Sequence, residues 1–508
     1  MTLDKQRVLA ECNEAEYLPT ETSWRESKNN AFLLARHRGL PVMLIFGERP
    51  PWFEGDTISV GEVYALKCPL TSGNLLALQQ KFPELKPVSL EGHDVTMGLG
   101  DRLGLVSGAH IAALAGTEAF PVLAQQSKRE LNLTGRSYRQ MLDDVAWQVF
   151  EAGYHGGYAA DGDHLKTLEE VRAAIADGAT MITLDCSEHI DPDAYRLDAD
   201  AALTQCREKF TQAQLDGWTQ TYCGKTFPLP EGRQVIFDET FFPQMLLTYG
   251  AALDFMETVY QAAIAAAPHA VSFEISIDET EVPTTPEAHY FIARELAERQ
   301  VVAGSVAPRF CGEFQKGVDY RGDTDQFQRE FAVHAAIAED FGYRVSVHSG
   351  SDKFSIFPYV GKLSGGRFHL KTSGTSWVEA VRVIAMCDPA LFRRMAAFSR
   401  LHFEEARAYY HVSASLDRMP DMNSIPDKDL PALLDMVDTR QVMHITYGFL
   451  LQAKDDQGKP LFRDDIYRTL RANKTLLDRV IRRHIRRHVQ ELGCAKEMYN
   501  KSEDNHHD

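Results

Sequence analysis

The chain has 508 residues, 44% hydrophobic and 25% charged, which is the balance of an ordinary globular protein. Its formal net charge of −18 argues against bulk affinity for nucleic acid, which depends on neutralising phosphates. No uninterrupted apolar run reaches the ~18 residues that a membrane-spanning helix needs.

The N-terminal segment MTLDKQRVLAECNEAEYLP is acidic and lacks the apolar core of a signal peptide. Eight scattered cysteines form no Cys-x-x-Cys pair, so neither thiolate zinc nor a disulfide framework is expected, and a cytoplasmic location is. Residues 1–92, with PVMLIFGERPPW and LLALQQKFPEL, read as a small α/β accessory region.

From residue 93 short apolar segments alternate with helical patterns. Strands are predicted at 95–102, 121–127, 153–164, 181–187, 270–276, 301–308, 343–349 and 367–373. Helical patterns such as SYRQMLDDVAWQVFEAG, TLEEVRAAIADG and DQFQREFAVHAAIAEDFG lie between them. Eight strands alternating with helices over about 300 residues predict an α/β fold of the (β/α)8 TIM-barrel type, spanning 93–390. A doubly wound open sheet is the rival architecture. The connection after the fourth strand is long. Residues 391–508 read as a helical C-terminal region in which LLDRVIRRHIRRHVQEL sets Val480, Ile481, Ile485 and Val489 opposite a solvated arginine face. The tail NKSEDNHHD is expected to be disordered.

In such a barrel the chemistry sits at the carboxyl ends of the strands, and polar clusters recur there. Asp101 and Arg102 follow the first strand; Gln125, Gln126 and Ser127 close the second; Asp161, Asp163, His164 and Lys166 the third. Thr183, Asp185 and Ser187 close the fourth, and Glu274, Ser276 and Asp278 the fifth. Arg309 and Lys316 follow the sixth; His348, Asp352 and Lys353 the seventh; His369, Lys371 and Ser373 the eighth.

Period-two alternation places Thr183, Asp185 and Ser187 on one face, sets His369 one layer below Lys371, and aligns Glu274 with Ser276 and Asp278. So many buried ionisable groups cost several kcal/mol each unless paired or bound to a metal. Imidazole mixed with carboxylate suits a divalent cation of the zinc, manganese, iron, cobalt or nickel class in a catalytic site. His164 and His348 are the first two candidate ligands. The third is left between Glu274 and His369, with His289 as an outsider. GLGDRLG misses the dinucleotide fingerprint, and no Walker loop is present.

Taken together, FAVHAAIAEDFGYRVSVHSGSDKFSIFP, RFHLKTSGTSWVEAVR, AADGDHLKT, FEISIDETEVPTTPEAHYFIA and APRFCGEFQKGVDYRGD resemble the tagaturonate epimerase family, in that family's order and over about residues 93–390. Shorter likenesses connect GDHL, LDCS and HS..D to non-catalytic tagatose-bisphosphate aldolase subunits. GDH is similar to the zinc-dependent class II aldolases, where Asp handles a proton and His holds the metal.

The main resemblance implies interconversion of D-tagaturonate and D-fructuronate in hexuronate breakdown. The inverted carbon lies β to both the ketone and the carboxylate, so its hydrogen is not acidic and enolisation cannot invert it. Retro-aldol cleavage and re-addition needs only a Lewis acid and a proton-transfer pair, for which Asp163 and Glu274 are the candidates. Arg309, Lys353 and Lys371 are candidates for the substrate carboxylate, Ser127 and Thr183 for hydroxyls, and Gln126, Asp185 and Asp352 for further substrate contacts. The expected partner is a small sugar acid, with a homo-oligomer possible and neither nucleic acid nor membrane involved. The competing readings are a metal-dependent aldolase or sugar isomerase, and a non-catalytic aldolase partner subunit.

Overall fold

The computed structural model describes residues 4–239, 242–280 and 282–495. The C-terminal tail read as disordered lies outside these residues. Eight parallel strands close into a barrel: β1 (Val95–Leu99), β2 (Phe120–Ser127), β3 (Ala159–Leu165), β4 (Met181–Asp185), β5 (Ser272–Ile277), β6 (Ser305–Pro308), β7 (Arg344–Val347) and β8 (Phe368–Thr372). The ring closes where Phe368 through Thr372 pair with Val95 through Leu99. The open-sheet alternative is thereby excluded. Each predicted strand is present, trimmed by up to six residues where polar loops begin.

These segments form strands because they are short, rich in β-branched and small apolar residues, and buried on both faces by the helices that follow them. Helix Tyr138–Glu151 is a clear case. A Ser137/Gln140 capping box starts it, and Met141, Leu142, Val145, Val149 and Phe150 form its buried stripe.

The floor of the barrel is sealed by the segment before β1. Ser272 Oγ accepts from the Leu90 amide at 2.8 Å, and the Arg344 guanidinium donates to the carbonyls of Leu90 at 3.3 Å and His93 at 2.7 Å. Below it lies an antiparallel sheet formed by strands within residues 17–68. It is tied to the underside of the barrel by Thr22 Oγ1 on the Glu151 carbonyl and Arg25 on the Tyr154 carbonyl.

The long β4–β5 connection carries helices Ala199–Lys209, Gln212–Tyr222 and Phe242–Val259 and a short hairpin. After β8, helices Thr375–Cys387, Pro389–Leu401, Val437–Ile445, Arg463–Ala472 and Lys474–Glu491 gather on one flank. The last of these buries Ile481, Ile485 and Val489 of the predicted stripe, with Leu477 in place of Val480, which is only half-buried. Of its arginines, 479, 482, 483 and 487 are exposed. No described helix is long and apolar enough to cross a membrane.

Candidate active site at the barrel mouth

The interior of the barrel is acidic around one ammonium. Lys371, on β8, donates to Asp161 Oδ2 at 2.8 Å and Asp163 Oδ1 at 2.7 Å from β3, and lies 2.9 Å from Glu274 Oε1 of β5. It also contacts Thr183 Oγ1, whose hydroxyl is within 3.1 Å of both Asp161 and Glu274. Glu274 receives further hydrogen bonds from Ser305 at 2.6 Å and His348 Nε2 at 2.8 Å, and Asp163 receives one from Gln125 at 3.0 Å. Room for Gln125 comes from Gly98 on β1, where a Cβ would sit 2.8 Å from Gln125 Oε1.

Strict alternation would let only one of Asp163 and His164 face this well. The structure resolves that conflict with a bulge. Pairing of β3 with β4 slips between Ile182 and Leu184, and His164 takes a left-handed backbone with φ of 53°. A bulge of this kind re-aims one side chain. Asp163 therefore points at Lys371, while the His164 ring leans over the mouth and meets His348 edge to face, centroids 5.0 Å apart. His164 Nδ1 lies 3.6 Å from Asp185 Oδ2, beyond hydrogen-bond length, and is buried with no hydrogen-bond partner among the described residues. His348 Nδ1 is 3.1 Å from Asp278 Oδ1.

Charge decides the protonation pattern. Burial alone would raise every carboxyl pKa here, but at Asp163 and Glu274 the Lys371 ammonium outweighs it and holds both below the usual range. Asp161 is the exception, since burial together with Asp163 and Glu274 leaves it raised to about 6. Burial likewise opposes a charge on His348, yet Asp278 and Glu274 lift it to about 10, and Asp163 and Asp185 raise His164. Asp161, Asp163, Asp185, Glu274 and Asp278 thus gather about Lys371 and two imidazoles, with Lys166 3.9 Å from Asp185 at the rim. That concentration of carboxylate oxygen about two facing imidazoles is a donor set that fits a divalent cation.

Several expected participants stand elsewhere. His369 lies beneath Lys371 with Nδ1 on Thr96 Oγ1 at 2.8 Å and Nε2 buried without a hydrogen-bond partner among the described residues, and burial lowers its pKa to about 3, which keeps the ring neutral. Lys353 is withdrawn from any substrate: its ammonium donates to the carbonyls of Gln315 at 2.9 Å, Val318 at 2.7 Å and Ser351 at 2.9 Å. Lys371 is saturated by carboxylates and has no place for another. Gln126 faces the helical layer and accepts from Arg136 at 3.2 Å; its neighbour Gln125 is the inward residue. Ser127 caps the next helix by accepting from the Glu130 amide. Thr183 is bound within the well, and Asp185 holds the Ser187 amide at 2.9 Å beside His164. Arg309 follows β6 with its amide on Thr284 Oγ1. Asp101 and Arg102 shape the first loop, with Arg102 on Glu130 and the His444 carbonyl. His289 is a core residue between His334 and Tyr343.

Asp352 belongs to a second cluster, which sequence reasoning missed. Among the described residues, Asp352, His484 and His488 form the one group of three whose ligand atoms lie within 4.8 Å of one another. The i,i+4 histidine pair in HIRRH was the available signal. Its donors are already used, however. Arg440 sits 2.9 Å from Asp352 and 3.1 Å from Glu379, and His484 is 2.8 Å from Asp352. His488 Nε2 accepts from the Asp352 amide at 3.0 Å, while its Nδ1 faces the His484 carbonyl at 3.0 Å. This cluster docks the last helix onto the β7 loop, with Arg440 as its cation.

A closed parallel barrel with a cluster of acid–base groups at its carboxyl mouth is the architecture of a TIM-barrel enzyme. Comparison with known proteins narrows the class. The family model described as tagaturonate epimerase matches residues 20–492, and the chain belongs to that family, of the isomerase class. The tagaturonate/fructuronate epimerase of Thermotoga maritima is 39% identical over 477 residues, covering 93% of this chain and 96% of that one. The fructuronate-tagaturonate epimerase of Cohnella laeviribosi, solved with glycerol, superposes with a TM-score of 0.92 at 42% identity over 96% of this chain and 99% of the other. Its native form gives 0.91 at the same identity and coverage.

Proposed function

We propose that this protein interconverts D-tagaturonate and D-fructuronate by a metal-dependent retro-aldol and aldol sequence. The reading is carried by the well in which Asp163 on β3 and Glu274 on β5, either side of β4, share one Lys371 ammonium beneath two facing imidazoles. The names of the Thermotoga and Cohnella relatives supply the substrate pair. His164 and His348 would hold the cation with Asp185 and Asp278 beside them, since a ligating imidazole commonly gives its other N–H to a carboxylate. A divalent cation there supplies Lewis-acid stabilisation for charge developing on the ketone oxygen.

The chain's own residues handle the protons. With carbons counted from the primary alcohol, Asp163, kept ionised by Lys371, accepts the proton of the C4 hydroxyl. The C3–C4 electron pair then moves toward the C2 carbonyl, giving a three-carbon enediolate and a three-carbon aldehyde acid. Once the aldehyde turns its other face, the C3–C4 bond re-forms. The new alkoxide takes a proton from the Glu274 side, where the Lys371 ammonium is the nearby donor. No atom is lost and nothing is oxidised.

The test is direct. Chelator-treated protein is incubated with D-tagaturonate and one divalent metal at a time, and products are read by NMR. Fructuronate should form only after metal is restored. Accumulation of free three-carbon products would make the protein an aldolase, and inertness with every metal would overturn the assignment.

A further inference from the structure

With Lys353 caged and Lys371 saturated, the substrate carboxylate lacks the two lysines the sequence offers for it. Another lysine meets the requirement. Lys316 lies in the loop after β6, and its ammonium reaches Ser373 Oγ at 3.4 Å, its sole hydrogen-bond partner among the described residues. Ser373 continues the inward register of His369 and Lys371 beyond the end of β8. Two residues of a strand rise about 6–7 Å, so Lys316 Nζ stands roughly one layer above the acidic well, on the mouth side. A six-carbon chain extends over that distance.

The backbone carrying Lys316 is held with unusual thoroughness. Four consecutive carbonyls accept from buried side chains of other segments: Gln315 O from Lys353 at 2.9 Å, Lys316 O from Gln441 at 3.1 Å, Gly317 O from Arg440 at 2.7 Å and Val318 O from Lys353 at 2.7 Å. Gly317 has φ of 73°, and a Cβ there would meet His444 Nδ1 at 2.9 Å. A loop merely closing the fold has no need of such clamping; one presenting a cation at a fixed point does. Arg129, just after β2, has its guanidinium 4.9 Å from the Tyr410 ring, and it and Lys316 lie in each other's field. Of the two carboxylates in their field, Glu130 is taken by Arg102 at 3.0 Å and Glu279 stands exposed to solvent.

We propose that Lys316, flanked by Arg129, binds the terminal carboxylate of the sugar acid and so selects uronates over neutral ketoses. Lys353, Arg440 and Gln441 are then positioning residues for the loop. This inference rests on the epimerase reading above.

The test uses the metal-loaded enzyme with D-tagaturonate. Lys316→Met should raise KM roughly 10- to 100-fold, the range for losing a charged hydrogen bond, with kcat changed far less. Lys316→Arg should restore most of the loss, which a merely structural role would not predict. Both variants are checked against the wild type for melting temperature. A folded Lys316→Met enzyme with unchanged KM, or an equal loss in Lys316→Arg and Lys316→Met, overturns the assignment. Inertness of the wild type toward tagaturonate would instead overturn the epimerase reading, so the two failures are distinguishable.

Discussion

His164 and His348, from β3 and β7, meet edge to face at 5.0 Å although three strands separate them on either path around the barrel. Each is surrounded by carboxylate oxygen, with Asp163 and Asp185 about His164 and Glu274 and Asp278 about His348. Replacing His164 by Ala should therefore leave the fold intact, since its side chain is 19% exposed and fixes no core contact. It should lower turnover by roughly three orders of magnitude and weaken divalent metal binding in calorimetry. Full turnover in the variant would remove the residue from the site.

Lys371 is the cation on which three buried carboxylates depend. Lys371→Met leaves them uncompensated, and breaking a buried ion pair from one side costs roughly 3–5 kcal/mol. Urea unfolding of metal-free protein should show a loss of that size. Adding Asp163→Asn should recover part of it, because one of the stranded charges is gone and neighbouring substitutions do not add. A loss under about 1 kcal/mol would mean that the ammonium is not what holds the well together.

Much of this was legible in the sequence because a parallel barrel writes itself twice, in apolar strands and in the polar residues that end them. Asp163, Glu274 and His348 lie on or just past barrel strands and converge in the well, with the His164 ring beside them. What alternation could not show is the bulge that lets Asp163 and His164 both face the well, since it depends on pairing with β4. Lys353 misled for a related reason. A lysine beside an aspartate at a strand end has the composition of a binding site, but the carbonyls that claim it come from residues 315, 318 and 351. Arg440 sits in an unremarkable helix and carried no signal at all, its role being fixed by the fold of the C-terminal flank.

Cleavage and re-addition make a prediction about carbon. If the C3–C4 bond breaks, an aldehyde trap added during turnover should capture a three-carbon acid in amounts that rise with enzyme. Labelled dihydroxyacetone should also enter the recovered uronates. In deuterium oxide, the C4 position should gain no deuterium, because that hydrogen never leaves carbon. Deuterium at C4 would sink the route, and absence of both trapped fragment and label exchange under forcing conditions would favour transient oxidation instead.

The docking of the last helix should be sensitive to acid in a direction that can be worked out. Burial would raise Asp352 and Glu379, but Arg440 and His484 outweigh it and hold both below their ordinary values. Groups depressed in the folded state stabilise it above their unfolded pKa, near 4, and that contribution is lost as pH falls through the folded values. Arg440→Met reverses the sign. It strips Asp352 of its guanidinium and leaves the His484 ring 2.8 Å away, while Glu379 keeps Arg382, at 2.8 Å. Their pKa values then rise, and protonation relieves the variant where it harms the wild type. The variant should be less stable by roughly 3–5 kcal/mol at pH 7, and the gap should narrow as urea unfolding is repeated toward pH 4. Because Arg440 also holds the Gly317 carbonyl, the variant should bind tagaturonate more weakly at neutral pH. A stability gap that stays constant with pH would show that Arg440 acts through packing alone and that the paired carboxylates do not need it.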